Sequence, residues 1–131
     1  MRPISLLLFV VALAGCASIG SSYRLDKFEA TSRAYERAIR WSDFRSAFAL
    51  AGKTDGPLPD LERLQSIRVT SYEVIDTPQI TEEASRVAQA VEIHYVNQRN
   101  MSERLWADQQ VWVYTEKDER WRLQSAFPVF Q

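Results

Sequence analysis

The single histidine, His94, lies two residues after Glu92. In an extended chain that spacing puts both side chains on one face of a strand, where a carboxylate beside an imidazole could work as an acid–base pair. Tyr72, Asp76 and Asp108 could join the pair from neighbouring strands. The plain alternative is a solvated face, because Val91, Ile93 and Tyr95 occupy the opposite side. Metal chemistry is not expected. One histidine and one cysteine leave only carboxylates, and those show no ligand spacing. No glycine follows Gly56, so the strand region holds no glycine-rich phosphate loop, and no Gly-x-Ser-x-Gly is present. No catalytic residue and no cofactor is assigned.

A second group is aromatic. Trp106, Asp108, Gln110, Trp112 and Tyr114 alternate with Leu105, Ala107, Gln109, Val111 and Val113. In a strand the two sets face opposite ways, and both are partly apolar. One face should pack on helices. The other then needs a neighbouring subunit, a protein ligand or a small apolar molecule. Trp106, Trp112, Tyr114, Asp108, His94 and Glu92 are therefore candidates for an interface or a pocket. An equal alternative makes Trp106 and Trp112 ordinary core residues.

The only cysteine, Cys16, has a chemistry of its own. Arg2 gives a short positive start, and Leu6 to Leu13 form an apolar run too short to span a bilayer, which needs about 20 residues. The run ends in Leu13-Ala14-Gly15-Cys16, which resembles the lipobox of bacterial lipoproteins. The resemblance implies cleavage between Gly15 and Cys16, removal of residues 1–15 and lipidation of the Cys16 thiol. A lipid-anchored cell-envelope protein follows, with the membrane as its first partner. The absence of Asp after Cys16 points to the outer membrane, facing the periplasm, in a Gram-negative cell. Ser18 to Ser22 is expected to be a short flexible tether within residues 16–23.

Removing residues 1–15 leaves 116 of 131 residues, enough for one domain. Only Arg2 among the 16 basic residues leaves, so 15 basic face 17 acidic side chains, a balance of −2. A near-neutral domain argues against a nucleic-acid partner. Leu25, Phe28, Tyr35, Ala38 and Ile39 recur at helical spacing. Trp41-Ser42-Asp43-Phe44 marks a break, with Ser42 as cap of a second helix whose stripe is Phe44, Ala47, Phe48 and Ala51 and which Gly52 ends. Gly56, Pro57 and Pro59 make a loop, and Asp60 can cap a turn at Leu61–Leu64.

From Ser66 the period becomes two. Ile67, Val69, Ser71, Glu73 and Ile75 should share one face of a strand that Pro78 ends or interrupts. Later strands are expected at Arg86–Gln98, Glu103–Thr115 and Arg120–Phe127, the last closed by Pro128. This order predicts an α+β fold, N-terminal helices on a curved antiparallel sheet of three to four strands. With Trp41-Ser42-Asp43-Phe44 and the late hairpins ending in Trp121-Arg122-Leu123, residues 24–131 resemble the NTF2-like superfamily. A cystatin-like fold is the competing expectation. The superfamily resemblance implies a cone with a pocket, but not one function. Three functions follow as expectations. The first is a non-catalytic binding or assembly domain that contacts a protein partner or forms a homodimer. The second is a carrier of a small apolar or lipidic ligand, and the third an isomerase- or dehydratase-type enzyme.

Overall fold

The computed structural model describes residues 15–52 and 54–131, with side chains from Ile19 onward. The expected cleaved segment through Ala14 and the Cys16 thiol lie outside the described residues. Two helices pack on a curved antiparallel half-barrel sheet, an α+β fold.

Helix α1 is Gly15–Arg40. Its Tyr35, Ala38 and Ile39 stripe is buried, as the periodicity predicts. The tether expected at Ser18–Ser22 is instead helical. The docked turns further along have already met the cost of nucleation, so each added residue needs only propagation, and no proline intervenes. Among the described residues, no helix is long and apolar enough to cross a membrane.

Helix α2 is Phe44–Ala51. Its cap is Asp43, not Ser42: the Asp43 Oδ1 accepts the Ser46 N–H at 3.1 Å. Ser42, at φ 58°, makes the corner and accepts the Val69 N–H on its hydroxyl at 2.9 Å. Gly52, at φ 72°, ends the helix where most side chains are strained. Asp60 accepts the Arg63 N–H and starts the 3₁₀ turn Arg63–Ser66.

The strands are β1 Ile67–Val74, β2 Gln79–Ile80, β3 Arg86–Asn97, β4 Ser102–Thr115 and β5 Arg120–Leu123. Their order is β1-β3-β4-β5, and β2 continues along the same side of β3 beyond Pro78. The first strand departs from simple alternation. A register shift between Val69 and Ser71 inserts a bulge at Thr70. Beyond it the phase reverses, so Tyr72 turns inward with Ile67, while Glu73 is exposed.

The last strand is shorter than expected. Gln124 and Ser125 both donate their N–H to the Val111 carbonyl, at 2.7 and 3.5 Å, and the ladder stops there. The chain then turns under the sheet and buries Phe127 and Phe130. The core sits between the concave face and the helices. Trp112 is fully buried beneath Tyr35, edge to face at 5.2 Å.

Candidate functional site

The inward phase of β3 and β4 carries polar residues among the apolar ones. Gln89, Asp108 and Gln110 are all buried, and β1 adds Tyr72 through its bulge. Gln110 is the hub. Its Oε1 accepts from Gln89 Nε2 at 2.9 Å and from Trp112 Nε1 at 3.0 Å. Its Nε2 donates to Asp108 Oδ2 at 2.8 Å and to the Tyr72 hydroxyl at 3.0 Å. Burial makes such bonds obligatory, because an unmet polar group there costs about 1–3 kcal/mol.

Burial shifts the acids upward. Desolvation raises the Asp108 pKa above the usual carboxylate range, and the Gln110 N–H and the nearby Trp106 indole partly offset it. Tyr35 and Tyr72 are likewise raised, first by desolvation and then by the Asp108 charge, with Gln110 opposing the rise at Tyr72. Two buried donors, Tyr35 OH and Trp106 Nε1, have no hydrogen-bond partner.

The structure divides the residues singled out in the sequence. Tyr72, Trp106, Asp108 and Trp112 come together inside, and Tyr114, half-buried, packs on Trp121 at 5.5 Å. The aromatic row therefore lies on the helix side of the sheet. Glu92 and His94 lie on the outer sheet face, away from Asp108; among the described residues no hydrogen bond joins them. Asp76 is exposed in the loop after β1. Sequence reasoning missed Tyr35 and Gln89 as members of the interior cluster. The signal for Gln89 was a lone amide on the inward phase between Val87 and Val91.

Outside, His94 lies opposite Leu105 and Glu92 opposite Ala107 across β3 and β4. Thr70, His94, Val96, Glu103 and Leu105 surround an open depression of about 430 Å³. Leu105 is 50% exposed, and Ala107 beside it is exposed too. Among the described residues, no cluster of three or more histidine, cysteine or acidic groups could hold a metal. No protein-family model, curated protein or solved structure matches this chain.

Proposed function

We propose that this chain is a cell-envelope lipoprotein whose NTF2-like cone serves as a non-catalytic binding or assembly domain, acting through protein contacts or self-association. Leu13-Ala14-Gly15-Cys16 supports the anchor, and the outer membrane, facing the periplasm, is the site we assign in a Gram-negative cell. The observation that carries the binding role is the division of polar groups. Gln89, Tyr72 and Asp108 bond to Gln110 in the interior, beneath close-packed Trp112 and Tyr35. The groups in reach of a partner, Glu92, His94, Glu103 and Leu105, stand on the outside of a hydrogen-bonded sheet, which is a rigid platform. A carrier function would need space beneath the helices, where those two rings meet edge to face.

Two measurements test this. Cys16→Ser should move the protein from the membrane fraction to the soluble fraction, because stable attachment requires more than one acyl chain. Retention on the membrane would refute the anchor. Affinity purification of the full chain from its own envelope, read by mass spectrometry, should recover a protein partner or further copies of itself. Recovery of lipid alone would favour the carrier instead.

A further inference from the structure

Strand β4 is covered on its far side along only part of its length. Trp112–Thr115 pair with Arg120–Leu123, and Val111 receives the Gln124 N–H and donates to Ser125 Oγ. The β3–β4 register runs without a break from Arg86 opposite Val113 to Asn97 opposite Ser102. Backbone groups in such a strand alternate strictly between its two sides. Val111 turns both of its groups away from β3, so Gln109, Ala107, Leu105 and Glu103 do the same. Among the described residues no hydrogen bond reaches these four, and all four are exposed. An open ladder of this length is either blunted or used for pairing.

We propose that the free edge of β4, Glu103–Gln109, pairs antiparallel with the same edge of a second copy, about a two-fold axis at Trp106, so that two sheets become one. Complementarity selects both partner and register. With Trp106 opposite the partner's Trp106, Glu103 comes opposite Gln109 and Leu105 opposite Ala107. Arg104 then comes opposite Asp108, twice by symmetry. Arg104 is exposed and contacts Ser102 Oγ at 3.4 Å. Asp108 is 4% exposed, and none of the salt bridges among the described residues includes it. Oppositely charged residues facing across strands stabilise pairing. The half-buried Trp106 indoles meet on the axis. A slip of two residues either way places Arg104 opposite Gln110 or Trp106 and loses the charge pair. A one-residue slip opposes bonding to non-bonding groups. An unrelated extended peptide could use the same ladder, but a second copy supplies both halves of the charge pattern by symmetry. The inference deepens the binding-domain reading by naming the partner. It rests on that reading and not on the lipid.

Cysteine cross-linking of the full chain in its own envelope tests the register. Directly opposed non-bonded residues have Cα atoms about 4.5 Å apart, within disulfide reach. Trp106→Cys should therefore give a disulfide-linked dimer under mild oxidation, above the background of the wild-type chain with Cys16. Ala107→Cys lies beyond about 7 Å from its own copy and should cross-link far less. Adding Ala107→Pro, which removes an edge N–H that the monomer does not use, should reduce the Trp106→Cys product at least about tenfold, and Arg104→Glu should do the same. Equal cross-linking at 106 and 107, or no effect of either added substitution, would overturn the pairing. Should Trp106→Cys fail to fold, light scattering of the full chain in detergent decides. Wild type should have twice the protein mass of Arg104→Glu, and equal masses refute the proposal. A monomeric wild type that still captures another envelope protein removes the pairing and leaves the binding-domain reading standing. Capture of nothing by a monomer removes both.

Discussion

The Asp108 carboxylate is enclosed with amide, indole and phenol groups and, among the described residues, with no cation paired to it. Its folded pKa is raised, so in the monomer the folded state holds the proton over a range where the unfolded chain has lost it. Stability of the monomer then falls as pH rises from the unfolded value, about 3.9, through the folded one, and the deficit persists above. Asp108→Asn keeps an acceptor for Gln110 and removes the charge. We expect it to raise the melting temperature of monomeric protein at pH 7 and to leave it unchanged below about pH 4. Thermal scans across pH check this; a lower melting temperature at pH 7 would mean that the carboxylate is stabilising. That Asp108 shares a face with Trp106 and Trp112 was legible; that this face packs on the helices was not, because both faces of the strand are partly apolar. Nor was the inward place of Tyr72 legible. Alternation assigned it to the side of Arg68, and only the bulge at Thr70, which leaves no trace in hydropathy, reversed it.

Edges and corners decide the behaviour of the elements. The α1–α2 corner closes the outer side of β1: Ser42 accepts the Val69 N–H, and Arg40 Nη2 donates to the Tyr72 carbonyl at 3.0 Å. Ser42→Ala should destabilise the fold by about 1–3 kcal/mol by leaving a half-buried N–H unmet. Ser42→Gly should cost less, because glycine avoids about 1–2 kcal/mol of strain at positive φ. Denaturant midpoints of the two variants check the order. The capping exchange between Ser42 and Asp43 was hard to read because both residue types suit the position. Only the strand lying over the corner assigns the serine elsewhere. Gly20 is the weak point of the exposed start of α1, and a Cβ there would meet open space. Gly20→Ala should stabilise that turn by up to about 1 kcal/mol, visible as slower amide exchange over residues 20–24. Faster or equal exchange would mean that this segment does not hold its helix. The composition Ser-Ile-Gly-Ser-Ser suggested a tether because propensity is local, whereas the helix grows out of turns docked by Trp121 Nε1, which donates to the Arg24 carbonyl at 2.8 Å.

At the scale of the whole molecule the helices and sheet meet along one core, and the last residues close its open end. Phe130 lies 5.2 Å from Phe44 on α2 and 4.9 Å from Tyr95 on β3, ring centre to ring centre. The Gln131 N–H donates to the Tyr95 hydroxyl at 3.1 Å, holding residues 127–131 across the open end of the core. The sequence displayed these aromatic residues but not their destination, because Arg120–Phe127 alternates well enough to pass for one strand. The turn inward depends on Gln124 and Ser125 sharing one acceptor. If residues 127–131 plug the core, they should carry core-like energy, since Phe127 and Phe130 are buried. Phe130→Ala should then destabilise the domain by about 3–5 kcal/mol and lower its melting temperature by on the order of 10 °C or more. Tyr95→Phe, which keeps the ring and loses one hydrogen bond, should cost about 1 kcal/mol. Because Phe44 and Phe130 share one contact, their double alanine variant should lose less than the sum of the two single losses. Additive losses would mean that residues 127–131 and α2 pack independently, and that the helices do not depend on those residues to close the core.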